Sequence, residues 1–310
     1  LEKMLQLSKE LIDGETSLVG VLGCPVKHSL SPIIHNAALS ALNLNWCYLA
    51  IPCDKENFSL VIEALRAIDC KGVNITIPHK NRALSLCKEI SPRAKEIGSI
   101  NTLIPTEEGS WKGDNTDIQG FLSPLKVQRN WENKKAIILG CGGSAKAVLH
   151  GLLTLNIAKI TVIGRHLDSL NDFINNVTSQ NNLTTELHGL ITADLSIPEY
   201  IKNADLIINT TPVGMHNQLE KKKSKEIPLG RKIWGNLQPG TTLYDLVYTP
   251  RPTEWLKLGE FYSCTQIDGL EMLIQQGASS LKLWSGIQEI PINIMRKAAQ
   301  KALNNSIINI

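Results

Sequence analysis

The chain has 310 residues, enough for two α/β domains with sizeable cores. Its 43% hydrophobic and 20% charged residues are an ordinary globular composition, and a net charge of +3 is too small to imply a nucleic-acid partner, while anionic small molecules suit it equally. Seven cysteines without C-x-x-C spacing argue against a disulfide frame or a zinc site and for reduced thiols in the cytoplasm, and no apolar run reaches the roughly 18 residues of a membrane span. The start shows no signal-peptide pattern, and Leu1 in place of Met implies a trimmed beginning.

In chain order, Leu1 to Gly14 reads as a leading helix and Ser17 to Leu22 as a strand, broken by Gly23-Cys24-Pro25. Pro32 suits a first helical turn, with Ser31 before it as N-cap. Asn45 to Ile51 is a second strand, Phe58 to Ile68 an amphipathic helix, Gly72 to Ile77 a third strand and Arg82 to Lys88 helical. Ile100 to Ile104 is a further strand. The stretch Trp111 to Asp117 follows a Glu-Glu-Gly turn, and Gly120 to Leu125 starts a linking helix. The second half opens on Ala136 to Gly140, a buried parallel strand, and continues with strands at 160–163, 189–193, 205–209 and 242–247. Helices are expected at 170–177, 253–258, 271–284 and 292–303. The long connection His216 to Gly240 carries the run Lys221 to Lys225, read as a solvated face, with a flap near cofactor phosphates as the alternative.

Gly140-Cys141-Gly142-Gly143-Ser144-Ala145 fits G-x-G-x-x-G/A, and it stands after a strand and before a helical apolar face. The first Gly makes the tight turn, the second lets backbone approach a pyrophosphate, and the small last residue packs helix on strand. Elsewhere the polar residues that follow strands are Ser29, Ser31, Thr76, Lys80, Asn101, Thr102, Asp114, Asn115 and Asp117. Hydroxyls, amides, one ammonium and carboxylates suit a small polyhydroxylated acid better than a metal or a nucleic acid. The seven histidines show no metal-ligand spacing, so no metal is expected, and neither Cys141 nor Ser144 has a His/Asp pairing that would support nucleophilic hydrolysis.

The segments PVKHSLSPIIHN, NITIPHK, IGSINT, GDNTDIQGF, GCGGSAKA, NTTPVGM, YDLVYTP and DGLEMLIQQG occur in this order. Together they resemble the shikimate dehydrogenase family from about Ser17 to Leu303. The resemblance implies a two-domain α/β enzyme. Residues 1–116 plus 269–310 would form the substrate domain and 117–268 a Rossmann-type NADP domain, with a cleft between them that closes over the substrate. It implies reversible NADPH-dependent reduction of 3-dehydroshikimate to shikimate, on the route to chorismate and the aromatic amino acids. Carried over residue by residue, Ser29 and Ser31 match the serines that bind the substrate carboxylate, and Thr76, Asn101, Tyr248 and Gln276 match further substrate contacts. Lys80 matches the catalytic lysine, and Asp117 the aspartate paired with it, also a substrate contact. Gly140, Cys141, Gly142, Gly143 and Ser144 match the pyrophosphate turn, and Leu246 and Gly269 positions near the nicotinamide.

Hydride arriving at a carbonyl carbon leaves negative charge on its oxygen. An ammonium beside that oxygen stabilises the charge and can supply the proton, a kind of catalysis that contributes about 10²–10⁴-fold. A facing carboxylate tends to raise a lysine's pKa, so Lys80 as proton donor and Lys80 as electrostatic and positioning group, with Asp117 sharing the proton transfer, stay open. At the end of the second Rossmann strand, Gly164-Arg165-His166 offers no acid for the ribose hydroxyls of NAD, whereas Arg165 suits the 2′-phosphate of NADP. The family pattern there is Asn-Arg-Thr. Gly164 and His166 depart from it, and Ser169 stands where a second basic residue is expected. NADP preference is therefore expected to be weaker, with His166 or a lysine of the 221–225 run as candidate replacements. Three further readings are kept: mixed quinate and shikimate use, a non-catalytic NADP-binding sensor, and a homodimer as the assembly.

Overall fold

A computed structural model describes residues 12–178, 184–216 and 224–308. The chain divides into two compact units, one made of residues up to Thr116 together with those from Leu273 on, the other of Asp117–Met272.

The first unit is built on a six-stranded sheet of β1 (Ser17–Gly23), β2 (Trp46–Pro52), β3 (Gly72–Ile75), β4 (Glu89–Ile90), β5 (Thr102–Pro105) and β6 (Trp111–Asp114), in the order β2-β1-β3-β5-β6-β4. β1 lies parallel to both β2 and β3, while β5 runs antiparallel to β3 and β6. One apolar cluster gathers Leu22, Cys53, Phe58, Ile62, Val73, Ile75 and Trp111. Helix Ser31–Ala41 packs against β2 and against the last helix, Ile292–Ile308.

The second unit holds β7 (Lys135–Leu139), β8 (Lys159–Gly164), β9 (Glu186–Ile191), β10 (Leu206–Asn209), β11 (Thr242–Asp245) and β12 (Thr265–Ile267), ordered β12-β11-β10-β7-β8-β9 and parallel throughout. This is the doubly wound order, with its topological switch between β7 and β10. The strands read as continuous apolar runs because both faces are covered. Ala136, Ile138, Ile160, Val162, Leu206 and Ile208 enter one core cluster, while Ile137, Leu139, Ile163 and Ile207 enter the other.

Several expected elements take a different form. Ser31 is not the N-cap: the helix begins at Ser31 with Leu30 before it, and the Ser31 N–H donates instead to Ser29 Oγ at 3.1 Å. The expected leading helix lies outside the described residues as far as residue 11, and Asp13 to Thr16 form a turn in which the Thr16 N–H donates to Asp13 O at 3.2 Å and Asp13 Oδ1 accepts from the Glu15 N–H. Trp111–Asp114 is a strand, and the helix that follows starts at Asp117. Residues 82–86 form a 3₁₀ turn. Of the run Lys221 to Lys225, residues 221–223 lie outside the described residues. The part of that connection from residue 224 on is anchored by a 3₁₀ turn, Arg231–Asn236, whose buried Trp234 donates from Nε1 to Pro228 O at 2.7 Å.

Candidate active site

In the first unit a buried polar network links the predicted substrate residues Asn101 and Gln276, and the serine pair stands beside it. Ser29 Oγ donates to Ser31 Oγ at 3.0 Å, which presents both hydroxyls at the start of helix Ser31–Ala41. Burial pushes the Tyr48 hydroxyl well up, with Ser31 nearby opposing. Tyr48 donates to Asn74 Oδ1 at 2.8 Å, and Asn74 Nδ2 reaches Asn101 O (3.1 Å) and Ser280 Oγ (2.9 Å). Ser280 lies one helical turn beyond Gln276, whose carbonyl accepts the Ser280 hydroxyl at 3.0 Å. Asn101 is fixed from both sides: Oδ1 accepts from the Thr116 N–H and from Thr102 Oγ1, each at 2.8 Å, and Nδ2 donates to Thr116 Oγ1 at 3.0 Å. Tyr48, Asn74, Thr102, Thr116 and Ser280 are buried, so each satisfied bond avoids a desolvation cost of roughly 1–3 kcal/mol.

The same unit carries Thr76 and Lys80 on the loop that leaves β3. Gly23 lets that loop approach β1, since a Cβ there would overlap the Thr76 methyl and sit 2.8 Å from Ile77 O. Buried His79 donates from Nε2 to Cys53 O at 2.8 Å and stacks on Phe58 with ring centroids 4.4 Å apart. Lys80 itself is half-buried, and its carbonyl accepts from the Ile100 N–H at 2.9 Å. The turn that leads toward Asp117 is anchored by Asp114, which takes Arg93 Nε and Nη2 at 2.6 and 2.5 Å and Ser91 Oγ at 2.6 Å. Burial opposes ionisation of Asp114, but the Arg93 and Ser91 bonds outweigh it and hold the carboxyl below its usual range. In the second unit Asp117, 5% exposed, opens helix Asp117–Lys126, where the helix dipole favours a carboxylate.

The glycine turn joins β7 to helix Gly143–Thr154 at the switch point. Gly140 has φ +104°, and a Cβ on it would meet Thr210 Oγ1 at 2.8 Å and Thr211 Cγ2 at 3.0 Å, so this position needs glycine on both counts. Gly142 is the N-cap, no side chain caps the helix, and a Cβ on Gly142 would meet nothing within 4 Å. An uncapped helix start behind an open glycine is a cradle for a pyrophosphate. Burial raises the Cys141 thiol, with Arg165 opposing. Arg165 and His166 are exposed after β8, and a Cβ on Gly164 would stand 3.5 Å from Cys141 Sγ. Leu246 and Gly269 adjoin: a Cβ on Gly269 would fall on the Leu246 carbonyl, so only glycine fits there. Half-buried Tyr248 sits on the loop leaving β11. These residues fit an NADP group. Among the described residues no cluster of His, Cys, Asp and Glu could hold a metal ion, and no helix is long and apolar enough to cross a membrane.

Sequence reasoning missed Tyr48, Asn74, Ser280 and Asp245. Tyr48 and Asn74 are single polar residues among apolar neighbours, and Ser280 is one of two adjacent serines in a helix. Asp245, fully buried at the end of β11, accepts from Asn209 Nδ2 (2.9 Å), the Val247 N–H (3.1 Å) and Thr253 Oγ1 (2.7 Å).

Comparison with known proteins settles the family. Residues 21–103 match the family model of the shikimate dehydrogenase substrate binding domain, 124–234 that of shikimate / quinate 5-dehydrogenase, and 269–300 that of the shikimate 5'-dehydrogenase C-terminal domain. The shikimate dehydrogenase (NADP(+)) of Prochlorococcus marinus strain MIT 9301 is 45% identical over 94% of this chain and 100% of its own length. The chain belongs to the shikimate dehydrogenase family. A relative from Trichormus variabilis, also a shikimate dehydrogenase (NADP(+)), is 41% identical over 94% of this chain and 99% of its own. Among solved structures, the Thermus thermophilus enzyme in complex with NADP(H) and shikimate is 30% identical, with a TM-score of 0.78 over 93% of this chain and 100% of that one. The Listeria monocytogenes enzyme with shikimate and NAD is 27% identical, with a TM-score of 0.81 over 93% and 98%.

Proposed function

We propose that this protein is an NADP-dependent shikimate dehydrogenase that reversibly reduces 3-dehydroshikimate to shikimate. The observation that carries this is full-length identity of 45% to a shikimate dehydrogenase (NADP(+)), with each family motif present on a described loop or helix start. NADPH supplies the hydride when bound, in the cradle formed by Gly140 to Ser144, with Arg165 for the 2′-phosphate and Leu246 and Gly269 beside the nicotinamide.

The remaining steps belong to side chains of this chain. Ser29 and Ser31 hold the substrate carboxylate, aided by the start of helix Ser31–Ala41. Thr76, Asn101, Tyr248 and Gln276 hold ring hydroxyls and fix the carbonyl carbon in one orientation. The Lys80 ammonium meets the oxygen on which negative charge develops and stabilises it where it forms. Asp117 accepts from a substrate hydroxyl; in the direction of reduction Lys80 or Asp117 gives a proton to the new alkoxide, and in the reverse direction that group takes the proton up from the shikimate hydroxyl. Seven cysteines without C-x-x-C spacing suit reduced thiols and so a cytoplasmic enzyme. The deciding assay follows reduced nicotinamide with shikimate or quinate, each with NADP or NAD. Turnover chiefly with shikimate and NADP is expected. Turnover chiefly with quinate or with NAD would overturn the substrate or cofactor assignment, and binding of NADP without any turnover would favour a sensor.

A further inference from the structure

We infer that Cys24 and Cys53 form a reversible disulfide site beneath the loops that carry the substrate serines and Lys80. β1 and β2 run parallel, with Gly23 opposite Pro52 as the last register pair. The Cys53 N–H donates to Gly23 O at 3.1 Å, which carries the ladder one step further and brings Cys24 beside Cys53. The Cys24 backbone is held as well, by its N–H to Ile77 O at 3.0 Å. Residues opposite one another in a ladder share a face, and that face recurs every second residue. Leu22 pairs with Ile51, and both pack in the cluster that contains Cys53, while Cys24 stands one residue past the end of β1, in an exposed bend level with Cys53. Adjacent strands lie about 4.8 Å apart, inside the roughly 4.4–6.8 Å Cα separation that a disulfide spans. Independently of register, Cys24 is among the groups that hold the Cys53 thiol up, after burial and Asp54. Among the described residues no two cysteines are opposite one another inside a ladder, Cys47 facing Leu18, and only Cys24 and Cys53 follow directly on a last ladder pair.

The two thiols divide the work. Cys24 is exposed and meets an oxidant first, whereas Cys53 is 5% exposed and stands behind it. With a small disulfide such as oxidised glutathione, the Cys24 thiolate attacks one sulfur, the glutathione S–S bond breaks, and one glutathione leaves and takes up the proton. Cys53 then attacks Cys24 Sγ, its proton passes to the second departing glutathione, and the Cys24–Cys53 bond forms. Two protein thiols are oxidised, and one glutathione disulfide is reduced to two thiols.

The site is coupled to the chemistry through the backbone at two points. Cys53 O is the acceptor for His79, the residue before Lys80, and Cys24 opens the loop that leads to Ser29. Closing the bond requires Cys53 Sγ to give up its contact with Asp54 O at 3.3 Å and draws together the exits of both strands. The thiol chemistry stands by itself; its effect on turnover rests on the shikimate dehydrogenase reading.

The test incubates the full chain with oxidised glutathione and reads non-reducing peptide mass maps beside shikimate-dependent NADP reduction. The expected result is a Cys24–Cys53 cross-linked peptide and a loss of about 10-fold or more in turnover, since ångström-scale misplacement costs on the order of 10²-fold. Dithiothreitol should restore it. Cys24→Ser should show neither cross-link nor inhibition, and Cys53→Ser should stop at the glutathione adduct on Cys24. A wild-type chain that keeps that adduct without cross-linking overturns the site, and a cross-linked chain of unchanged turnover overturns the coupling. If the reduced chain turns over no shikimate at all, the function assignment fails, while the mass map still decides the disulfide.

Discussion

Lys80 and Arg165 carry the sharpest single-residue expectations, because each is assigned one charged contact. Lys80→Ala removes the ammonium from the oxygen that gains charge. Turnover should fall about 10²–10⁴-fold, with little change in the shikimate KM and an unchanged circular dichroism spectrum; a fall confined to KM would make Lys80 a binding group only. Arg165→Ala removes one planar, permanently charged donor set from the 2′-phosphate. A charge-assisted bond of about 1.5–3 kcal/mol predicts a KM for NADP raised about 10–100-fold, with NAD turnover unaffected. If both cofactors weaken equally, Arg165 serves the turn and not the phosphate. Such residues were legible in the sequence because they sit in punctuated motifs, just after strands, where Gly and Pro mark the boundary. Tyr48, Asn74 and Ser280 were not. Asn74 sits in the middle of GVNITI, and its partners lie 26 residues before it (Tyr48) and 206 after it (Ser280), so only the folded network exposes its role.

At the scale of elements, Asp245 is the latch between the exits of two parallel strands. Asn209, at the end of β10, donates to Asp245 Oδ1 and at the same time accepts the Thr211 N–H at 3.1 Å and the Thr211 hydroxyl at 2.6 Å. Asp245 in turn holds Val247 N–H and Thr253, the N-cap of helix Glu254–Phe261. The turns after β10 and β11, which include Leu246 and Tyr248, are thereby fixed to one carboxylate. Asp245→Ala strands three donors and should cost on the order of 3 kcal/mol in urea denaturation. Asp245→Asn keeps one acceptor oxygen for the two Oδ1 bonds and should cost clearly less. Equal losses would mean that the charge, not the bonding, matters. The Rossmann-type class of this unit was legible in the glycine turn between a buried strand and a helical apolar face, while its strand order emerged only from the folded sheet. The short pieces escaped: β4 has two residues, β12 three, and helix Ile197–Lys202 six, too few for a period to register. Trp111–Asp114 escaped as well, because Gly and Asp are poor strand formers and antiparallel pairing to β5 overrides them.

Over the whole molecule, two buried titratable groups set opposite responses to acid, one in each unit. His35 is fully buried, stacked on Tyr48 at 4.1 Å, and neither ring nitrogen has a hydrogen-bond partner. Burial drives its pKa from 6.5 down to about 3. From pH 6.5 downward the unfolded chain takes up a proton that the folded chain refuses, so this unit loses stability until about pH 3. Asp245 behaves in the other sense. Burial raises its pKa from 3.8 to about 6, so between those values the folded state holds the extra proton and stability rises as pH falls. A single whole-chain melt hides the two effects, because they nearly cancel between pH 6 and 4. Separate variants reveal them. His35→Leu removes the titration, and its stability relative to wild type should rise by about 2 kcal/mol between pH 7 and pH 5, one and a half pKa units at about 1.36 kcal/mol each. Asp245→Asn should move the other way over the same interval, losing ground to wild type as the pH falls. Urea denaturation of the three chains at both pH values is sufficient. A gap for His35→Leu that stays constant with pH would mean that His35 is solvated or paired in the folded state, and the acid response would then have to arise elsewhere in the first unit.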